Sequence, residues 1–201
     1  MKFNRVFSQA SPWTFTIAPI PELLQRYVGN GSGWVDLFAG MNSPAETTND
    51  MNPNAKAKYH MEASVFAEQI QGEFNGVLFD PPYSYRQVSE HYQVLGKKAT
   101  MQDTSAQFYN RAMNPISKKI KMGGIAISFG WNSNGFGFCR GFEIIEILLI
   151  AHGLHHNDTI VTVERKIAHQ ENLFNQENGA QNEEQNLTAP NSPILPLETA
   201  T

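Results

Sequence analysis

The four residues Asp80-Pro81-Pro82-Tyr83 place a carboxylate, two prolines and a phenol ring directly after the apolar run Gly-Val-Leu-Phe. Two consecutive prolines fix two backbone φ angles and remove two N–H donors, so they predict a stiff, extended turn with free carbonyl groups. Asp80 and the Pro81 carbonyl can accept the two hydrogen bonds of an exocyclic amine, while Tyr83 stacks on the ring that carries it. The motif therefore predicts a site for a planar, amino-bearing group. The competing interpretation is a rigid strand exit with an N-capping Asp80.

The elements that position this motif alternate between short apolar runs and helix-like stretches. The strands are predicted at WVDLFAG, TTND, GVLFD, GGIAISFG, EIIEILLIAHG and DTIVTVER, and the helices at PIPELLQRYVG, 54–70, 86–95 and 104–121. Strands separated by helices predict a parallel α/β sheet, and the last two strands predict an antiparallel hairpin at one edge. Ligands bind at the carboxyl ends of strands in such sheets, which draws attention to the polar residues there.

Composition predicts one domain over residues 1–166 and a flexible tail over 167–201. The tail is rich in Gln and Asn and holds five acidic residues with no Lys or Arg. A single cysteine, Cys139, argues against a disulfide framework or a cysteine-rich zinc site. A hairpin turn explains His155 and His156 better than a metal site does. Without a signal-like segment or an apolar run of about 18 residues, we expect a cytoplasmic protein with no membrane partner.

The net charge of −4 conceals a basic segment. Residues 86–121 hold seven Lys and Arg side chains against two acidic ones, a pattern typical of a surface that binds a polyanion. A solvated face explains such a run about equally well. The sequence therefore permits a nucleic-acid partner in spite of its overall charge.

Three motifs resemble those of methyltransferases that modify amino groups in nucleic acids. VLFDPPYS resembles motif IV of that family, and its Asp-first form is usual among adenine-N6 DNA methyltransferases. WVDLFAG resembles the cofactor-binding motif I, and SPWTFTIAPIPELLQRY resembles the cofactor-contacting motif X. From about residue 11 to 166 the chain is similar to small adenine methylases encoded by bacteriophages and prophages. Leu37 replaces the usual proline of motif I, and Met41-Asn42-Ser43-Pro44 replaces its glycine-rich continuation.

This resemblance implies a Rossmann-like, S-adenosylmethionine-dependent fold, a mostly parallel sheet with a reversed last strand. It implies methyl transfer to adenine N6 in DNA after base flipping, with Asp80, Pro81, Pro82 and Tyr83 as catalytic residues. The implied cofactor-binding residues are Phe15, Thr16, Ile17, Asp36, Phe38, Ala39, Gly40 and Asp50. For Asp50, which is placed to bind ribose hydroxyls, an Asx turn before Asn52 is the alternative. Phe15, Thr16 and Ile17 are equally consistent with a half-buried strand.

The DNA contacts are expected from the basic segment and from the loop after the strand GGIAISFG. The candidates are Arg86, Lys97, Lys98, Lys118, Lys119, Lys121, Trp131 and Asn132, although Trp131 is equally consistent with a core ring. A homodimer is one way for a chain without a recognition domain to gain DNA contacts. The alternatives are methylation of RNA, of cytosine N4 or of protein glutamine, and a non-catalytic subunit that binds nucleic acid.

Overall fold

The computed structural model describes residues 1–82, 88, 106–153 and 156–169, which fold around one mixed sheet. Its strands are β1 (Lys2–Phe7), β2 (Trp34–Asp36), β3 (Thr47–Thr48), β4 (Phe74–Phe79), β5 (Ile120–Gly130), β6 (Phe142–Ala151) and β7 (Thr159–Lys166). The helices are α1 (Ile20–Tyr27), α2 (Ala63–Gln69) and α3 (Ala106–Lys118), with 3-10 helices at Thr14–Thr16 and Phe138–Arg140. The strand order is β3-β2-β4-β5-β7-β6-β1, and β7 alone runs antiparallel to its neighbours. The predicted fold class is confirmed.

Each face of the sheet buries its own core. On one face, α1 packs Ile20 and Leu23 against a group of strand residues that includes Leu78, Ile127 and Val161. On the other face, α2 and α3 cover strand residues such as Val77, Phe79 and Ala126, with Phe66 and Ile116 among the fully buried side chains. Successive strand residues alternate between the two faces, which is why adjacent Leu78 and Phe79 belong to different cores.

The predicted ends of α1 and β4 agree with the structure. Pro21 occupies the first turn of α1, where its missing N–H costs no hydrogen bond, and Gly29 follows the helix at φ 61°. Strand β4 ends at Phe79, so that Asp80 and the two prolines begin immediately beyond the last ladder pair. The proline pair therefore stops the strand as its lost donors require.

The helix predicted over residues 54–70 is wrong for its first nine positions. Asn52 accepts a hydrogen bond from the Asn54 backbone at 3.0 Å, and the amides of Lys58 and Tyr59 bond to Thr48, so this stretch follows turns and the sheet edge. Tyr59 forms an isolated parallel bridge with Asn49. Local side-chain bonds of Asn residues compete with helix formation, and they prevail here.

Two features of the sheet differ from the sequence prediction. Strand β1, which was not predicted, pairs in parallel with β6 and displaces the β6–β7 hairpin from the edge. Strand β5 begins at Ile120 and runs through the two glycines that were predicted as a turn. Gly123 adopts φ 77° there, and the pairing register with β4 shifts between Phe74 and Gly76, as in a β-bulge.

Within the part of the chain that the structure describes, no helix is long and apolar enough to cross a bilayer.

Candidate active site

A cavity of about 240 Å³ opens at the carboxyl edge of the sheet. Its walls come from the loops after β2, β3 and β4 and from the segment that precedes α1. Because β2, β3 and β4 are mutually parallel, their carboxyl ends meet at this edge, as expected for the ligand site of an open α/β sheet.

Asp80, Pro81 and Pro82 line the cavity at the end of β4. Pro81 is buried, and the Pro82 carbonyl accepts a hydrogen bond from the Tyr109 hydroxyl of α3. Beneath them, the Phe79 ring packs edge-on against Phe38, Tyr109 and Phe136, with ring centroids between 5.3 and 6.4 Å apart. The described part of the motif, from Asp80 to Pro82, is therefore contacted by packed aromatic residues at Phe79 and at Tyr109.

Asp80 lies in an environment that disfavours its charge. Burial raises the pKa of its carboxyl to about 7; a hydrogen bond with the Thr14 side chain opposes this rise, and the nearby Asp36 carboxylate adds to it. A carboxylate that ionises near neutrality and faces a cavity is a candidate functional group.

Asp36, at the end of β2, anchors the loop that follows it. Its side chain is fully buried and accepts hydrogen bonds from the Phe38 backbone at 2.9 Å and from the Ser43 hydroxyl at 2.6 Å. Burial raises the pKa of Asp36 to about 7 as well, with a contribution from the Asp50 charge. Phe38 and Ala39 line the cavity, whereas Asp36 is not among its described lining residues. Asp36 thus shapes the cavity wall from behind it.

The connection from β2 to β3 has no helix, which agrees with the altered motif I sequence. Gly40, in this connection, contacts Asp50, which follows β3: the Gly40 amide donates to Asp50 Oδ2 at 2.9 Å, and the Asn52 amide donates to Oδ1 at 2.8 Å. The Asx turn is therefore present, and Asp50 nevertheless lines the cavity. Gly40 adopts φ 52°, and a Cβ added there would meet no atom within 4 Å.

The segment before α1 contributes one predicted residue to the cavity. Phe15 lines it and packs its ring 5.1 Å from that of Phe129. Ile17 is buried in the core beneath α1, and the Thr16 hydroxyl donates to the Trp13 carbonyl at 2.8 Å. Neither Thr16 nor Ile17 is among the described lining residues.

Trp131 and Asn132 follow β5 at the same edge as Asp80, since Phe79 pairs with Ser128. Trp131 is 44% exposed, which rules out the core alternative. Asn132 accepts a hydrogen bond from the Asn134 amide at 3.0 Å. These two residues therefore lie at the same edge of the sheet as the cavity, and neither is among its described lining residues.

The lysines Lys118, Lys119 and Lys121 lie at the opposite, amino edge, where α3 ends and β5 begins. The six residues of β4 separate the two edges by roughly 20 Å. Lys119 Nζ donates to the carbonyls of Ala67 and Glu68 at 2.9 and 2.8 Å, and also to that of Ile70. It completes the C-terminus of α2, a structural role that the sequence analysis missed.

Four predicted residues lie outside the described part of the chain: Tyr83, Arg86, Lys97 and Lys98.

Several of the described cavity residues were not predicted, among them Trp13, Thr14, Met51 and Glu62. Trp13 and Thr14 fall inside the stretch that resembles motif X, so that resemblance contained a signal for them. Glu62 accepts the Ser64 and Val65 amides at 3.2 Å as the N-cap of α2, and no sequence pattern placed it at this cavity. Among the described lining residues the charged groups are Asp50, Glu62 and Asp80, so the cavity is acidic. Among the described residues, no group of three or more His, Cys, Asp or Glu could hold a metal ion.

No model of a known protein family matches this sequence, and no curated protein matches it either. Among solved structures, TrmN from Thermus thermophilus is similar over 76% of this chain, with a TM-score of 0.51 and 12% identity. The chain spans about half of TrmN, covering 49% of its length. The 1,6-didemethyltoxoflavin-N1-methyltransferase from Burkholderia thailandensis aligns over 75% of this chain and 78% of its own, with a TM-score of 0.48 and 12% identity. The likeness to TrmN shows that the two chains share a fold over that part of this chain.

Proposed function

We propose that this chain is an S-adenosylmethionine-dependent methyltransferase that transfers a methyl group to adenine N6 in DNA. One observation carries the proposal: Asp80, Pro81 and Pro82 lie on the wall of a cavity at the carboxyl edge of the sheet, beside the Gly40 loop. The fold likeness to TrmN supports the reaction class, and the Asp-Pro-Pro-Tyr motif supports the amino-bearing acceptor.

The residues of the cavity fit the cofactor. S-adenosylmethionine supplies an electrophilic methyl carbon on a positively charged sulfur. The acidic lining complements that charge, because opposite charges attract. Gly40 leaves open space where any other residue would place a Cβ, which allows close approach to the backbone. Asp50 Oδ1 and Oδ2 each retain acceptor capacity beyond their one backbone hydrogen bond, and we assign them to the ribose hydroxyls.

Asp80 and the Pro81 carbonyl orient the acceptor. They accept the two amino hydrogens, which directs the nitrogen lone pair away from them and across the cavity. An acceptor nitrogen that bonds to the methyl carbon would become positively charged, while the bond from that carbon to the cofactor sulfur breaks and its electron pair stays on the sulfur. The Asp80 carboxylate would stabilise the charge on the nitrogen. Asp80 then takes the surplus proton from the methylated nitrogen and passes it to solvent. Tyr83 is assigned to stack on the base, a contact worth about 1–3 kcal/mol.

An adenine within a duplex must leave the base stack to reach this cavity, at a cost of a few kcal/mol. Trp131 and Asn132, exposed at the same edge, are assigned to the DNA next to the extruded base. Arg86, Lys97 and Lys98 are assigned to its phosphates, and Lys119 is left out because α2 engages its ammonium.

The test incubates the purified chain with labelled S-adenosylmethionine and unmethylated genomic DNA, followed by nucleoside mass spectrometry. We expect N6-methyladenine, and in Asp80→Ala a loss of about a thousandfold or more with cofactor affinity changed by a few fold. Glu143→Ala, an exposed acidic position on β6, is the matched control and keeps full activity. Label in RNA, in protein or on cytosine would contradict the proposed substrate. Cofactor binding without any transfer would favour the non-catalytic subunit.

A further inference from the structure

The side chain of Thr14, in the segment before α1, contacts Asp80 of the acceptor motif. Thr14 begins the 3-10 helix Thr14–Thr16, lines the same cavity as Asp80, and its side chain hydrogen-bonds the Asp80 carboxylate. The two residues are 66 positions apart in the sequence, so this contact is a product of the fold. A hydroxyl that faces a carboxylate must donate its proton, because an ionised carboxylate only accepts hydrogen bonds.

The position of Thr14 is fixed by its surroundings. The amides of Thr16 and Ile17 donate to the carbonyls of Trp13 and Thr14 at 2.9 and 3.1 Å, which closes the 3-10 turn. Ile17 is buried in the core beneath α1, and Phe15 packs on Phe129 of β5. The Thr14 hydroxyl is therefore held against Asp80 by a packed framework on both sides.

We propose that Thr14 is a positioning residue that fixes the orientation and the ionised state of the Asp80 carboxylate for amine binding, an inference that rests on the function proposed above. With one lone pair of the carboxylate committed to Thr14, the remaining acceptor positions point in a defined direction towards the cavity. Donation to the charged form also favours that form over the protonated acid. Among the described residues, the other ionisable groups near the site are Asp36, Asp50 and Glu62, and all three are acidic. The Asp36 carboxylate disfavours the charge on Asp80 that Thr14 supports.

The test compares Thr14→Val, which keeps the branched shape and removes the hydroxyl, with Thr14→Ser, which keeps the hydroxyl. We expect Thr14→Val to lower kcat about tenfold at pH 7 and to move the acid limb of its pH profile up by about one pH unit. The affinity for S-adenosylmethionine should change by less than about threefold, and Thr14→Ser should restore most of the rate. Ser11→Ala is the matched control: its hydroxyl bonds the Trp13 amide at 3.1 Å in the same segment, and the acid limb should stay in place.

A second measurement does not depend on turnover. Carbon-13 NMR of aspartate-labelled protein, with the Asp80 signal assigned from Asp80→Asn, follows the titration of this carboxyl directly. A higher pKa of Asp80 in Thr14→Val supports the inference even if the wild-type chain transfers no methyl group, an outcome that would overturn the proposed function alone. An unchanged Asp80 titration together with an unchanged pH profile would overturn the role of Thr14.

Discussion

The two edges of the sheet carry charges of opposite sign and use them differently. At the carboxyl edge, Asp36 and Asp80 are held where burial raises the pKa of each to about 7. At the amino edge, the Lys119 ammonium donates to backbone carbonyls at the end of α2, and burial lowers its pKa. The lysine completes a helix terminus, whereas each carboxylate faces the charge of another acid nearby.

This difference separates the two edges by their electrostatics. Asp36 lies near Asp50, and Asp80 near Asp36, so ionising all three in the same region destabilises the fold. A ligand with a positive charge removes that penalty when it binds. At the carboxyl edge, the acidic side chains repel one another, and a bound cation would offset that repulsion. At the amino edge, the Lys119 ammonium already has its partners in the backbone carbonyls of α2.

The largest difference in stability between the two edges is expected from Asp36→Asn, at the carboxyl edge. Asn at this position can still accept the Phe38 amide and donate to Ser43, but it carries no charge. Because the folded-state pKa of Asp36 is raised from 3.8 to about 7, the stability it contributes is present at low pH and is lost as the pH rises through 7.

Wild-type protein should therefore lose stability relative to Asp36→Asn between pH 4 and pH 8, by about 1–4 kcal/mol. Urea denaturation at both ends of this range measures the difference. A constant difference across the range would show that Asp36 ionises normally.

At the amino edge the expected effect on stability is smaller and has the opposite sign, because removing the charge there destabilises the fold. Lys119→Met keeps the aliphatic stem and removes the ammonium from the carbonyls of α2, so it should destabilise the fold by about 2 kcal/mol. Lys121→Met, next on β5, loses one exposed bond to Asn75 and should change stability by less than about 0.5 kcal/mol. Cofactor affinity should be equal in both variants, and a loss in Lys119→Met would break the proposed division between the edges.

The sequence predicted the elements whose signals are local. The two prolines ended β4 where expected, Pro21 and Gly29 bounded α1, and the apolar runs gave the parallel strands and the reversed β7. The sequence also predicted cavity residues at the strand ends, because parallel strands bring their carboxyl ends to the same edge of the sheet.

The rest depended on contacts between distant segments. Strand β1 has no buried residue and no regular alternation of polar and apolar residues, and it is its pairing with β6 that makes it a strand. Lys119 looked like part of a basic surface, yet its partners lie about 50 positions earlier in α2. The Thr14 contact with Asp80 likewise has no local pattern. Charge runs in sequence do not show which residues the fold will bury or pair.

Two glycines allow the edges to be compared with the same substitution. Gly40 at the carboxyl edge and Gly29, before β2 at the amino edge, both have positive φ, and neither has an atom within 4 Å of an added Cβ. Alanine at either position should cost about 1–2 kcal/mol of backbone strain. Only Gly40→Ala should also weaken S-adenosylmethionine binding, by about tenfold in calorimetry, because its methyl group occupies space on the cavity wall. Equal affinities in the two variants would place the cofactor elsewhere.

The smallest expected effect compares the two ends of β5. Trp131 follows the strand at the carboxyl edge and is 44% exposed, while Lys121 lies near its start. If nucleic acid approaches the carboxyl edge, Trp131→Leu should weaken DNA binding about fivefold through lost stacking. Lys121→Met should weaken it less than twofold at physiological salt, because charges more than about 8 Å from the bound strand are screened. Fluorescence anisotropy with a labelled duplex measures both. A stronger loss in Lys121→Met, with a steep salt dependence, would place the DNA across the amino edge and separate nucleic-acid binding from the cavity.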